Sequence, residues 1–489
     1  SYGLAATDFF FSESTTTETA EWATVLEELH RLRPSELVLP ARLEGDETWM
    51  QALEAVRPAR FSYVPEEVFT LQSATDCLQR HLGVASLEAY GCADLPLATC
   101  AAGAVLSYLQ ANQPALEAPV GLTHLRHLST LRLSSHMHLD NVTRRNLELT
   151  RTLRDGRVQG SLLSVLDCTV TAMGARLLRR WINQPLLDLD VVHARLDALQ
   201  ELVGHGASPV DATESPQGAT RGREFLRADL RRLLDGLHDV ERLVGRIGFG
   251  NANGRDLVAL KWALERLPKI KARLADAQSA RLQALGQVDT HADVRSLIAQ
   301  AIVDRPPVLL KEGGLIRAGY HAELDRLRAE AEAGRDWLTA YEAAERERTG
   351  IKNLRVKYNE VFGFFIEVTK SNLSSVPDDY ERRATLTRAE RFETPELKVK
   401  EAEILSAEDR AKELEYDLFI EVRSQVAEQA TSLRQVARAL AELDTLSALA
   451  EVAALHGYVR PQVDDGHQIQ IQEGRHPVVE QLLPGGERF

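Results

Sequence analysis

The stretch YNEVFGFFIEV, Tyr358–Val368, decides the fold. Phe362, Phe364, Ile366 and Val368 alternate, which is the period of a strand, and Gly363 stands where a hairpin from the preceding LRVKYN would turn. The stretch is nevertheless enclosed by helical sequence. Upstream, HAELDRLRAEAEAGRDWLTAYEAAERERTG predicts one helix over about Tyr320 to Arg348, stopped by Gly350. Downstream, Thr394 caps a second helix, Pro395 takes its first position and Glu396 suits its positive end. RRATLTRAERFE reads as further strand. Two antiparallel helices of about 40 Å with a small β unit at their far end satisfy all of this.

That far end carries a charge pattern that the whole chain lacks. The 489 residues have a formal net charge of −14, which argues against a surface coated in positive charge. Between Arg382 and Lys400, however, six basic residues (Arg382, Arg383, Arg388, Arg391, Lys398 and Lys400) face three acidic ones, whereas Glu401–Asp417 has seven acidic and two basic. Lys370, Ser371, Asn372, Thr369, Thr385, Thr387 and Asn359 lie in or near the same unit. Cations neutralise phosphates, and hydroxyls and amides hydrogen-bond their oxygens. The candidate DNA-backbone residues are therefore Asn359, Lys370, Ser371, Asn372, Arg382, Arg383, Thr385, Thr387, Arg388 and Arg391. The plain alternative is a solvated strand face.

Elsewhere the sequence reads as follows. The first ~112 residues alternate strand and helix: GLAATDFFF, a helix in TAEWATVLEELHRL with Thr17 as its cap, the strand SELVLP, then helices near Asp46–Val56, Leu71–Leu82 and Leu95–Gln110. From Asp140 to Thr349 nearly every periodic stretch is helical, as in the stripe Met173, Leu177, Leu178 and Trp181. Gly204–Glu224 reads as a surface linker. The length points to about three domains. No apolar run approaches the ~20 residues of a membrane span. Four cysteines without a C-x-x-C pair suit reduced thiols in a cytoplasmic protein.

No enzyme signature survives inspection. There is no G-x-x-x-x-G-K-[ST] phosphate loop and no G-x-S-x-G elbow. GRIGFGNANGRD reads as an interhelical turn, His124, His127, His136 and His138 as scattered histidines and not a metal site, and Asp167 as the cap of the following helix. A metal-dependent hydrolase in the first domain would need clustered carboxylates, and only Asp8 suggests itself.

HLDNVTRRNLELT, GSLLSVLDCTVTAMGARLLRRWINQPL, YNEVFGFFIEVTKSNL, RRATLTRAERFETPELKVKEAEIL and GRHPVVE, in that order, resemble the MutS mismatch-repair family. The resemblance implies a multidomain, mostly α fold: an RNase-H-like α/β connector over 1–112, a helical core and lever over 113–353, a β-rich clamp over 354–408, returning lever helices over 409–465, and at 466–489 the first strands of an ATPase domain opened by GRHPVVE. It implies double-stranded DNA as partner of the clamp and a MutL-type partner docked on the connector. In the full-length protein it implies a second MutS subunit, with ATP and magnesium as cofactors. It also implies a bacterial, nucleoid-associated location. The abrupt opening SYGLAATDFF and the missing phosphate loop lead us to expect a piece of a longer protein, without cofactor or ATPase activity of its own. A protein-docking scaffold with little DNA affinity is the competing expectation, favoured if the far-end cations turn out to be internally paired.

Overall fold

The computed structural model describes residues 1–482 apart from 9–12, 55, 57, 59, 113–121, 123–126, 132–135, 138 and 205–216, and apart from 360–362. In chain order the elements begin with β1 (Tyr2–Asp8), β2 (Glu13–Thr19), α1 (Trp22–Leu32), β3 (Glu36–Pro40), α2 (Glu47–Leu53), β4 (Arg60–Val64), α3 (Leu71–Leu82), α4 (Pro96–Ala111) and β5 (His127–Thr130). The helices α5 (Asn141–Asn146), α6 (Leu162–Leu166), α7 (Ala172–Asn183), α8 (Leu189–Val203), α9 (Gln217–Leu234), α10 (Val240–Phe249), α11 (Gly254–Leu274), α12 (Ala280–Gly286), α13 (Ala292–Ala301) and α14 (Ala322–Thr349) follow. Then come β6 (Arg355–Asn359), β7 (Gly363–Thr369), β8 (Glu381–Thr385), β9 (Ala389–Glu393), α15 (Pro395–Glu428), α16 (Ala430–His456) and α17 (Pro477–Leu482). The mostly α, multidomain class expected from the sequence is the class observed. The chain divides into two compact units, one formed by 1–252, 259–295 and 424–489, the other by 253–258 and 296–423.

In the first unit, β1 pairs antiparallel with β2, and β2 pairs parallel with β5. A separate parallel pair joins β3 to β4. Leu78, Leu82, Ala102 and Leu106 of α3 and α4 bury together with Leu122 and Leu128, so this core draws on residues beyond 112. The helical part is organised around α16, which α7, α8, α9, α10 and α12 contact. From Leu433 to Ala450 nearly every face of α16 is buried, as a helix enclosed by other helices requires. Its polar residues are satisfied locally: Thr445 and Ser447 donate to the carbonyls of Ala441 and Leu443, four residues back.

The most consequential polar group of this unit is Asp444, fully buried on α16. Its carboxylate accepts the backbone N–H of Val170 (3.0 Å), the N–H of Thr171 (2.7 Å) and the Thr171 hydroxyl (2.5 Å). Thr171 in turn caps α7 by accepting from Gly174 N–H. The acid thus sits at the positive end of α7, where its charge is favoured, while burial pushes its pKa up. A Cβ on Gly174 would lie 2.2 Å from Asp444 Oδ2, so only glycine lets the two helices approach this closely.

In the second unit α14 begins and ends, and α15 begins, on local signals. His321 Nδ1 accepts from Leu324 N–H, Gly350 closes α14 at φ 72°, and Thr394 Oγ1 accepts from Leu397 N–H. The first turn of α15 opens on Pro395. The helices pack so closely that a Cβ on Gly334 would fall 2.4 Å from Ile404. Glu415 of α15, buried, accepts from Arg328 of α14 (2.6 Å) and from Leu315 N–H (2.8 Å). Between the helices, β6–β7–β9–β8 form an antiparallel sheet. Leu338 and Tyr341 of α14, Leu397 and Ile404 of α15, and Ile366, Val368 and Phe392 of the sheet share one core.

Several sequence expectations are corrected. Thr17 is a strand residue paired with Leu4, and α1 begins after Glu21 without a side-chain cap. Asp167 ends α6 and accepts from Thr169, leaving the capping of α7 to Thr171. RRATLTRAERFE is a hairpin of two strands. GRHPVVE is no strand: Pro477 opens α17 and the His476 ring accepts from Val478 and Val479 N–H, a capped helix start that outweighs the β-branched pair. The expected linker Gly204–Glu224 lies outside the described residues over 205–216 and is helical from Gln217. Among the described residues no cluster of metal-ligating side chains occurs; His124 and His138 lie outside them.

Asp444→Ala removes the acceptor of three buried donors, and we expect a loss of about 3 kcal/mol in the stability of the first unit. Urea unfolding followed by circular dichroism measures it. A change within about 0.5 kcal/mol contradicts the role assigned to Asp444.

Candidate nucleic-acid interface

The register of the sheet sorts the candidate residues between its two ends. Arg355 pairs with Glu367, Thr369 with Ala389 and Thr385 with Glu390, which places the start of β6, the end of β7, the end of β8 and the start of β9 at one end. Asn359 pairs with Gly363 at the other end, together with Glu381 and Glu393.

The first end gathers Lys370, Ser371, Asn372, Thr385, Thr387 and Arg388. Lys370 N–H donates to Arg388 C=O (3.2 Å), and Leu386 N–H to Ala389 C=O (2.8 Å), closing the β8–β9 turn beside the end of β7. A chain of side-chain hydrogen bonds fixes the loops. Asn372 Nδ2 donates to Asn353 Oδ1 (2.7 Å), Asn353 Nδ2 to Thr369 Oγ1 (3.1 Å), and the Thr369 and Ser371 hydroxyls share a bond of 3.1 Å. Lys352, Asn353 and Arg355, which the sequence reading did not select, belong to this cluster. The signal was available, since the basic residues that open LRVKYN lie on the neighbouring strand of the hairpin, at the end where β7 finishes, but it needs the register. Lys352, Arg355, Lys370 and Arg388 are exposed, and among the described residues none has a carboxylate partner.

The remaining candidates behave differently. Arg382 Nε stands 2.8 Å from Glu390 Oε2, and Arg383 pairs with Glu393, which also has Lys398 at 3.7 Å. Both glutamates are buried. A bulge in β8 between Arg382 and Ala384 separates the two arginines' partners along β9. Arg391 is half-buried with its guanidinium 4.3 Å from the centre of the Phe365 ring. Asn359 lies away from the cationic cluster. The candidates therefore divide into an unpaired cationic end and a set of arginines engaged with their own sheet.

The sheet is tied to the last turns of α14. Glu342 accepts from Val356 N–H (2.8 Å), and the buried Glu345 accepts from Tyr380 Oη (2.6 Å) and from Arg348 (2.7 Å). Arg348 also reaches Asp379 (3.1 Å). Tyr341 and Thr394 share a buried hydroxyl bond of 2.7 Å. Burial, reinforced by the neighbouring Glu345 carboxylate, pushes the Tyr380 phenol up, so it stays a neutral donor.

Residues 1–126 match the family model described as MutS domain II, and residues 142–450 match that described as MutS domain III. The DNA mismatch repair protein MutS of Symbiobacterium thermophilum is 47% identical over 463 residues, covering 94% of this chain and 50% of that protein. That of Thermosynechococcus vestitus is 42% identical over 494 residues, covering 99% and 54%, and that of Halothermothrix orenii 39% over 462 residues, covering 94% and 49%. The chain belongs to the MutS family. It spans about half the length of the curated relatives it matches.

Glu345→Ala would leave the Tyr380 hydroxyl and part of Arg348 without their acceptor. We expect a loss of about 2 kcal/mol, concentrated in the sheet, and faster amide exchange across β6–β9 than in α14. Tyr380→Phe, which removes only the donor, should cost less. Equal exchange in Glu345→Ala and the parent protein would show that the carboxylate does not hold the sheet.

Proposed function

We propose that this chain serves DNA mismatch repair by holding duplex DNA through its phosphate backbone at the cationic end of the β6–β9 sheet. The observation that carries this reading is the group of four exposed cations without carboxylate partners among the described residues, Lys352, Arg355, Lys370 and Arg388, interleaved with the amides and hydroxyls of Asn353, Ser371, Asn372, Thr385 and Thr387. Cations of this kind supply affinity, and the polar groups position the backbone without reading sequence. Strands, turns and one short 3-10 helix, Lys370–Ser375, at a sheet end offer no α-helix for the major groove. In this reading the sheet is the clamp and α14 with α15 the lever; the α/β region is a connector that docks a MutL-type partner. ATP hydrolysis, with its magnesium, and pairing with a second MutS subunit are assigned in this reading to a full-length family member. The location that goes with this role is the bacterial cytoplasm, at the nucleoid.

A second reading has one observation in its favour. Arg382 and Arg383 stand against Glu390 and Glu393, as a docking scaffold with little DNA affinity would have them.

Fluorescence anisotropy with a labelled duplex separates the two. Four phosphate contacts give a slope of log K against log salt of about −3.6. Lys370→Ser with Arg388→Ser should flatten the slope by about 1.8, and Arg382→Ser with Arg383→Ser should change it less. An affinity and slope untouched by Lys370→Ser with Arg388→Ser, with unchanged circular dichroism, decides for the scaffold.

A further inference from the structure

The first unit contains a cavity of about 1350 Å³ that none of the DNA-binding reasoning uses. Strands β1 and β3 and helices α1, α2, α7 and α8 contribute to its lining. On the α/β side three aromatic rings form a cluster. Tyr2 lies 5.3 Å from Trp22 between ring centres, and Trp22 meets Trp49 edge-on at 4.9 Å and 83°. From the helices come Trp181 of α7 and Arg195 of α8, whose guanidinium carbon lies 3.5 Å from the centre of the Trp181 ring.

Arg195 lies within electrostatic reach of Glu442 and Arg281 but differs in hydrogen bonding from several charged groups that line the cavity. Arg176 donates to Asp239 and Glu241, Glu442 accepts from Arg281, and Glu36 accepts from Ser62 and Tyr108. The Arg195 guanidinium has no carboxylate or carbonyl at hydrogen-bonding distance among the described residues; its close contact is the tryptophan face. Burial, joined by the nearby Arg281 charge and opposed by the Glu442 carboxylate, lowers its pKa to about 10. A guanidinium laid flat on an aromatic ring keeps its edges free, and those edges form two parallel N–H bonds to a carboxylate or phosphate. Half-buried, such bonds count for more than they would in open water. The volume exceeds the ~300–1,000 Å³ usual for small-ligand sites, and the lining mixes apolar side chains with eleven charged ones, six of them arginines.

We propose that this cavity binds an aromatic anion, a carboxylate or phosphate monoester carried on a flat apolar body. Arg195, held on Trp181, takes the anionic group, and the Tyr2–Trp22–Trp49 cluster takes the body. The residues of this site belong to the first unit and those of the cationic sheet end to the second.

Calorimetric titration of the whole chain with 2-naphthoate, 2-naphthyl phosphate and the neutral 2-naphthalenemethanol tests this, with quenching of tryptophan fluorescence as second readout. At least one anion should bind with a Kd below ~1 mM. Arg195→Gln should weaken that binding about tenfold and leave the weaker binding of the alcohol unchanged. Trp49→Leu, which leaves the Arg195–Trp181 pair in place, should weaken all three. The tighter anion identifies the headgroup. Should Arg195→Gln lose helical signal in circular dichroism, Arg195→Lys carries the test, since lysine keeps the charge without the fork, and a loss in the same direction is expected. Failure of both anions to bind at ~5 mM, or an anion affinity equal in the parent and the Arg195 variant, overturns the proposal.

Discussion

The buried carboxylate of Glu345 fastens the β6–β9 sheet to α14 in the second unit. A small sheet carried on two long helices has little core of its own and gains its orientation from whatever fastens it. Here the fastening is polar and specific: Glu345 receives Tyr380 and Arg348, Glu342 receives the backbone of β6, and Tyr341 meets Thr394 at the start of α15. An apolar patch alone would let the sheet slide, because hydrophobic attraction has no direction. Buried hydrogen bonds penalise any other arrangement, since each unpaired group costs about 1–3 kcal/mol. The cationic end of the sheet is therefore presented in a fixed pose relative to α14.

Asp444 solves a comparable problem in the first unit. One carboxylate on α16 fixes the start of α7, and Gly174 supplies the room for it. In both units a buried acid placed against backbone or hydroxyl donors sets the geometry that the apolar core fills in.

The long helices and their ends were legible because their determinants are local. Gly350 and the Thr394–Pro395 pair mark α14 and α15 within one turn of the chain. The alternation in β7 was equally plain. What escaped depends on distant partners. Thr17 has the chemistry of a helix cap, but pairing of β2 with β1 and β5 claimed it. The Asp444–Thr171 contact joins residues 273 positions apart, and nothing near Thr171 announces it. The basic burst was visible as composition, yet its division was not. Which arginines meet Glu390 and Glu393, and which cations are left at the sheet end, follows from cross-strand register and from the bulge in β8. The sequence reading did not separate Arg382 and Arg383, which face glutamates, or Asn359, at the other end of the sheet, from its remaining candidates, and it did not select Lys352, Asn353 and Arg355.

The central claim is that one end of the sheet, and not its faces or its opposite end, meets DNA. Amide hydrogen exchange of the chain with and without a duplex of about two helical turns, at low salt where backbone contacts are strongest, addresses it residue by residue. The account predicts added protection in 352–355, 369–372 and 385–388, with 357–359 and 381–383 unchanged. Protection centred on 357–359 and 381–383, or no protection anywhere in the sheet while DNA is bound, would contradict it.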